Sequence, residues 1–155
     1  MSEPKKLEDV FKEVVTGDAL KDALDFVEFV NAGEMIYSPP HEIHYKGERV
    51  CYVDTSNERS TWTIWTDGDY SSECKGFPID GQTKEIARKH ANKCGNCEDT
   101  NCSPGKTAII FGNEFTNICS GAHVDMCFTN PAAEALDGLK KLLEMRKYII
   151  DNHAM

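Results

Sequence analysis

The sequence predicts an α+β fold, in which a mainly antiparallel sheet of about five strands carries helices packed on one face. Two observations lead to this prediction. Apolar residues recur at helical spacing near both ends of the chain, whereas the central part alternates between apolar and polar residues. The connections between the central segments are short, which favours hairpins over crossover units. We therefore expect N-terminal helices, a central sheet and a long C-terminal helix.

Two helices are expected in the N-terminal helical segment, residues 1–33. Leu7 and Phe11 lie on one helical face, and Gly17 is suited to end the first helix. Asp18 is a suitable N-cap for a second helix, which ends at Gly33. The segment that follows, Tyr37-Ser-Pro-Pro40, cannot continue a helix and is predicted to be a connector.

The central segment predicts a hairpin and a third strand. Residues 42–45 and 48–53 flank a Lys46-Gly47 turn, and residues 61–66 form a run rich in aromatic and β-branched residues. On that third strand Trp62 and Ile64 share one face, and Trp65 points to the other.

Further elements are expected in the second half of the chain. A short helix is predicted from about residue 83 to 92, followed by strands at 108–111 and 123–128. The last helix is predicted to open with Asn130 as its N-cap and Pro131 at its first position.

Length and charge limit the class of protein. A chain of 155 residues fits a single domain, 1–155, and its net charge of −9 argues against nucleic-acid binding and against anionic membrane surfaces. The N-terminus has no apolar signal region, and no stretch approaches about 18 uninterrupted apolar residues. We therefore expect a cytoplasmic protein whose seven cysteines are thiols, metal ligands or redox groups instead of disulfides.

The most specific motif is the cysteine cluster Cys94-Gly-Asn-Cys97-Glu-Asp-Thr-Asn-Cys102. A CxxC pair directs two thiolates at one centre, and Zn²⁺ prefers four such ligands in a tetrahedron. A hairpin-like return of the next strand would bring Cys119 back as the fourth ligand. Residues 94–119 are therefore predicted to be a metal-binding subregion, with zinc held by Cys94, Cys97, Cys102 and Cys119.

Other interpretations of the cluster stay open. His90 is the main rival of Cys119 for the fourth position, and Cys74 and Cys127 are weaker rivals. An iron–sulfur cluster would use the same cysteines, although its bacterial spacings usually include further close cysteines. A redox CxxC normally opens a helix after a strand, whereas this one follows a predicted helix.

Outside the cluster, the aromatic residues are the main candidates for a binding surface. Trp62 is expected in the core, whereas Trp65 points to the other face, with Tyr70 soon after it in the chain. Either helices cover that face too, or Trp65 and Tyr70 line a groove that binds an apolar ligand. On a strand, the side chains of His41 and His44 would face opposite sides. We therefore interpret them as ordinary histidines near a surface hairpin.

The segment from Gly47 to Ile150 resembles an uncharacterised family of small bacterial cytosolic proteins. The resemblance rests on the Val50-Cys-Tyr-Val53 and Trp62-Thr-Ile-Trp65 strands, on the Cys-x2-Cys-x4-Cys-Ser-Pro-Gly-Lys cluster and on Asn117-Ile-Cys119. It implies that Cys119 belongs with the cluster, and it implies no known activity.

The sequence therefore predicts a small cytosolic domain with a structural zinc site that acts as a binding module for an unknown small molecule or protein. A closed four-ligand site supplies folding energy and leaves no position for a reacting water. The alternatives are an enzyme with a pocket near Trp65 and Tyr70, in which the metal is only structural, and a thiol-based redox or metal sensor.

Overall fold

The computed structural model describes residues 6–38, 41–56, 58, 60–66, 79–91, 106–110, 113–118 and 126–153. This part of the chain contains four helices and seven strands. The helices are α1 (Leu7–Val14), α2 (Gly17–Ala32), α3 (Gly81–Lys89) and α4 (Glu134–His153). The strands are β1 (Ile36–Ser38), β2 (Glu42–Tyr45), β3 (Glu48–Ser56), β4 (Thr61–Thr66), β5 (Lys106–Ile110), β6 (Asn113–Ile118) and β7 (Met126–Thr129).

Five strands form one antiparallel sheet in the order β1-β2-β3-β4-β7, and β5 pairs with β6 in a separate antiparallel hairpin. The α+β prediction is thereby confirmed. β1 lies where a connector was predicted, at residues 36–38. The prolines that follow exclude a helix but favour extended backbone just before them, and this extended segment pairs with β2.

The helices pack on the sheet face that contains Trp62 and Ile64, both of which are fully buried. The Trp62 ring lies 5.2 Å from that of Phe11 in α1 and 5.4 Å from that of Phe26 in α2, measured between centroids. Tilted aromatic pairs at this separation add to the free energy gained by burial. Trp62 therefore holds both N-terminal helices on β4, as the alternation of residues along the strand predicts.

The start of α4 differs from the prediction. The helix begins at Glu134, three residues beyond Pro131, and Asn130 has a φ of 46° in the left-handed region. Asn tolerates that conformation better than most residues. Its side-chain Oδ1 accepts a hydrogen bond from the Trp62 backbone N–H at 3.0 Å. Asn130 thus joins the end of β7 to the start of β4 instead of capping the helix.

The last turn of α4 is tied to the β2–β3 turn. The Asp151 carboxylate accepts hydrogen bonds from the Lys46 ammonium at 2.6 Å and from the Tyr45 hydroxyl at 2.9 Å. The hydrogen bonds from Lys46 and then Tyr45 lower the pKa of Asp151. This contact connects residues far apart in the chain and anchors the helix to the sheet.

Helix α3 packs closely against α4. Asp80 caps α3 by accepting the Thr83 N–H at 2.7 Å, and it accepts a hydrogen bond from Lys141 of α4 at 2.8 Å. These hydrogen bonds, that of Lys141 first, lower the pKa of Asp80. Gly138 of α4 lies against Ile86 of α3, since a Cβ added at Gly138 would lie 2.8 Å from Ile86 Cγ2 and 3.2 Å from its Cβ.

We expect Gly138→Ala to lower the free energy of unfolding by about 1–3 kcal/mol, because the new methyl group overpacks the α3–α4 contact. In a helix interior without such a contact, the same change stabilises by about 0.5–1 kcal/mol. The control is therefore the Ile86→Ala background, in which Gly138→Ala should become stabilising. Urea denaturation followed by circular dichroism measures both, and an effect of the same sign in both backgrounds would contradict the close contact.

Candidate functional site

The sheet face opposite the helices carries a continuous row of polar and aromatic side chains. Strand pairing places Ser38 opposite Glu42, Glu42 opposite Tyr52, Tyr52 opposite Trp65, and Trp65 opposite Cys127. Directly paired residues on antiparallel strands share a face and lie side by side. The row therefore crosses all five strands, and we call it the open-face row.

A cavity of about 310 Å³ lies on the open-face row. Its lining residues come from the end of the loop before β2, from β2, from the middle of β3 and from β4. They are His41, Glu42, Tyr52, Val53, Asp54 and Trp65. The two aromatic rings and Glu42 are half-buried, and Asp54 is exposed. The cavity thus combines an aromatic surface with two acidic groups, which suits a small ligand more than a flat protein surface.

The two carboxylates at the cavity have different partners. Glu42 Oε1 lies 3.1 Å from His44 Nε2 and 3.5 Å from Arg49 Nη1, so a fixed positive charge offsets it. Asp54 Oδ1 accepts the Thr55 backbone N–H at 2.9 Å and lies 3.7 Å from His41 Nδ1. The Asp54 side chain is 50% exposed. Asp54 is therefore the carboxylate with the less compensated charge.

The charge of Asp54 also acts on Tyr37. Burial, followed by the negative charge of Asp54, raises the pKa of the Tyr37 phenol above its ordinary value. Both causes favour the neutral phenol over the phenolate. Tyr37 is therefore uncharged at neutral pH and adds no further negative charge near Asp54.

A hydrogen-bonded chain of side chains borders the cavity. Ser38 Oγ lies 2.9 Å from His44 Nδ1, and His44 Nε2 lies 3.1 Å from Glu42 Oε1. An ionised carboxylate only accepts hydrogen bonds, so the proton of a neutral His44 is on Nε2. Nδ1 is then free to accept the hydroxyl proton of Ser38. The arrangement has the order nucleophile, base and orienting acid.

Two cysteine thiols fall in the described part of the chain, and both are free. Burial raises the pKa of the Cys51 thiol, which is fully buried in the core. Burial also raises the pKa of Cys127, partly offset by a hydrogen bond with Thr129. Since the thiolate is the reactive and metal-binding form, neither environment activates its cysteine.

The predicted zinc ligands Cys94, Cys97, Cys102 and Cys119 lie outside the described residues, as do Cys74 and Tyr70. Within residues that the structure describes, no group of three or more His, Cys, Asp or Glu side chains is arranged to hold a metal ion. The rival ligand His90 is described. Its Nδ1 lies 2.8 Å from the Ile86 carbonyl oxygen, to which it donates, and its ring stacks on Phe128 with centroids 4.2 Å apart.

Of the two residues that the sequence offered as candidates for a groove, Trp65 is among the lining residues and Tyr70 lies outside the described part of the chain; the other lining residues were not predicted. Tyr52 and Asp54 lie on β3 at positions of the same face, and His41 and Glu42 come from the segment that pairs with it. The available signal was the alternation along β3, because a residue that faces away from a buried neighbour faces the open side. The register between strands was also needed to place these residues beside Trp65.

Across the described parts of the chain, no helix has both the length and the apolar character needed to cross a membrane. Comparison of the chain with protein-family models, with curated proteins and with solved structures gives no match.

Proposed function

We propose that the protein is a small-molecule-binding module that holds its ligand in the cavity beside Trp65 and is stabilised by a zinc ion at the cysteine cluster. The observation that carries the first part is the cavity itself, where two aromatic rings and two carboxylates converge on the open-face row. Concave sites lined by aromatic groups with a few polar groups are typical of ligand-binding pockets.

The position of the cavity in the sheet supports this proposal. Tyr52 and Trp65 lie on β3 and β4, which are flanked on both sides by paired strands. Interior strands hold their side chains more rigidly than loops do, so that little conformational entropy is lost when a ligand binds. The aromatic part of the cavity is therefore preorganised.

The register of the β5–β6 hairpin supports the zinc site. Lys106 pairs with Ile118, so the start of β5 lies beside the end of β6. Cys102 precedes Lys106 by four residues and Cys119 follows Ile118 directly. Four residues span at most about 14 Å, which keeps both cysteines within reach of a common centre. The predicted hairpin-like return thus has a physical basis in the described strands.

His90 remains an alternative to Cys119 as the fourth ligand. Metal-binding histidines usually donate their second ring N–H to a carbonyl or carboxylate, and His90 donates Nδ1–H to the Ile86 carbonyl at 2.8 Å. That bond leaves Nε2 as the nitrogen able to bind a metal. The stacking on Phe128 gives His90 a structural role in either case.

We place the protein in the cytoplasm. Disulfides are rare in reducing compartments. Cys51 and Cys127 are both free thiols, which agrees with this placement, and thiolates kept reduced are available to bind zinc.

Protein purified under reducing conditions is expected to contain about one equivalent of zinc. Cys97→Ser should lose the metal and several kcal/mol of folding free energy, because a structural zinc site stabilises the folded state. Cys127→Ser is the matched control and should keep both. Elemental analysis and urea denaturation measure the outcome. Neither zinc nor iron in the wild-type protein would end the structural-metal proposal, and iron in place of zinc would indicate the iron–sulfur alternative.

The variants Cys119→Ser and His90→Gln identify the fourth zinc ligand. Elemental analysis should show loss of zinc in the variant that lacks the true ligand and normal zinc content in the other.

Ligand binding in the cavity is expected to shift the indole N–H signal of Trp65 in a ¹H–¹⁵N correlation spectrum and to leave that of Trp62 in place. The chain has two tryptophans, so Trp65→Phe assigns both signals. For any small-molecule hit, Trp65→Ala should weaken binding about tenfold, because it removes an aromatic contact surface. Thr63→Ala, on the same strand face but outside the cavity lining, is the control. Hits that shift only Trp62, or that bind Trp65→Ala unchanged, would refute the cavity as the site.

A second candidate function is hydrolysis of an ester, favoured by the Ser38–His44–Glu42 chain beside the cavity. In this reaction Ser38 Oγ attacks the carbonyl carbon, and its proton passes to His44 Nδ1. His44 then protonates the leaving alcohol, and water releases the acyl group in the same way.

If Ser38 is a nucleophile, a fluorophosphonate probe should modify it covalently, as mass spectrometry of peptides would detect. Ser38→Ala removes the modified residue, and His44→Gln should slow labelling at least about 100-fold by removing the base. Labelling at an equal rate in His44→Gln, or no labelling of Ser38, would exclude this function and leave the binding module.

A further inference from the structure

We infer that the ligand of the cavity is a small organic cation, with an ammonium group attached to an apolar or aromatic body. This inference rests on the proposed function, that the cavity binds a small molecule, and it adds the chemical class of that molecule. Three features of the described residues carry it: the aromatic pair, the balance of charge around it and the size of the cavity.

The aromatic pair offers a surface that attracts cations. Aromatic faces attract cations within about 6 Å of the ring centroid, and Trp is the strongest of them. The protein already uses Tyr52 in this way, since the Arg49 guanidinium lies 4.5 Å from its ring centroid. Among the described residues, no Lys or Arg lies over the ring of Trp65, which Tyr52 adjoins in the sheet. Trp65 is therefore available to a cation brought by the ligand.

The charges around the cavity favour the same class of ligand. Arg49 offsets Glu42 at 3.5 Å, and the basic side chain beside Asp54 is the imidazole of His41 at 3.7 Å. Among the described residues, Asp54 therefore has no Lys or Arg partner, unlike Glu42. The net charge of −9 on the whole chain adds a field that attracts cations and repels anions. An ammonium group beside Asp54 would supply the missing positive charge.

The size of the cavity limits the ligand. A volume of about 310 Å³ lies at the lower end of the range for ligand pockets, about 300–1,000 Å³. Asp54 belongs to the lining and its side chain is 50% exposed, so a charged group beside it can keep part of its contact with water. A compact body on Trp65 with its ammonium group beside Asp54 satisfies both the apolar and the charged parts of the lining.

Three ligands with the same aromatic body separate charge from shape: phenethylamine, 2-phenylethanol and phenylacetate. At pH 7.4 they carry charges of about +1, 0 and −1, because an alkyl ammonium titrates near pH 10 and a carboxyl near pH 4. Titration of each into the 155-residue chain is followed by the Trp65 indole signal. We expect phenethylamine to bind at least about fivefold more tightly than the alcohol, and phenylacetate to bind most weakly.

Asp54→Asn tests the charged group directly. The Asn side chain keeps an oxygen to accept the Thr55 N–H, so the change removes the charge and little else. We expect it to weaken phenethylamine binding about three- to fivefold and to leave 2-phenylethanol unchanged. The control is Glu48→Gln at the exposed start of β3, outside the cavity lining, which removes the same charge. Added salt should weaken the amine alone.

The outcomes distinguish the two proposals. If the amine is preferred and Asp54→Asn removes the preference, the inference is supported. If all three ligands bind equally, or the acid binds best, the cavity is a binding site but its ligand is not a cation, and the inference is overturned. If none of the three shifts the Trp65 signal at millimolar concentration, both the inference and the binding function of this cavity are overturned. If Glu48→Gln weakens phenethylamine binding as much as Asp54→Asn does, the effect is one of overall charge, and the inference is also overturned.

Discussion

The burial of Trp62 between Phe11 and Phe26 determines which side of β4 faces the helices, and most other features of the molecule depend on it. Side chains on a strand alternate between its faces, so a shift of register by one residue would move every side chain to the opposite face. Trp62 and Ile64 are fully buried, and a shifted register would expose them and bury Trp65 with its threonine neighbours. The loss of apolar burial makes such a shift unfavourable by several kcal/mol. Trp65 is therefore held on the open face.

The same constraint extends to neighbouring strands through their pairing. Ile64 pairs with Val53 on one side and Phe128 on the other, and all three are buried on the helix-covered face. Their neighbours along each strand consequently face outward, and these outward positions form the open-face row. Asn130 reinforces the register because its side chain accepts the Trp62 N–H at the start of β4. The helix-covered core thus positions the cavity, and it contributes Val53 to the lining.

The sequence predicted the parts of this arrangement that depend on local pattern. The alternation Trp62-Thr-Ile-Trp65 assigned the two tryptophans to opposite faces, and the hairpin around Lys46-Gly47 followed from turn chemistry. Long-range pairing was not predictable in this way. The segment that forms β1 was predicted to be a connector, because only its pairing with β2 makes it a strand. Asn130 was predicted to be a helix cap, because a local pattern does not reveal its contact with Trp62, 68 positions away in the chain. Predicting the cavity would have required both the β2–β3 and the β3–β4 registers, because its lining residues come from these three strands and the segment before β2.

The proposed ligand cavity and the proposed zinc site are connected through β7. Cys127 of β7 pairs with Trp65, and the Cys127 N–H donates to the carbonyl oxygen of His90 at 2.9 Å. Ala91, which follows, bridges to Met126, and three residues later the chain reaches Cys94. The segment that leads into the cysteine cluster is therefore bonded to the strand beside Trp65. A zinc ion that stabilises the cluster would also stabilise the pairing of β7 with β4, because anything that binds only the folded segment shifts its equilibrium toward the folded state. Under the proposed function, a metal with no part in the chemistry would in this way also favour the folded cavity, because Trp65 lies on β4 and pairs with Cys127 of β7.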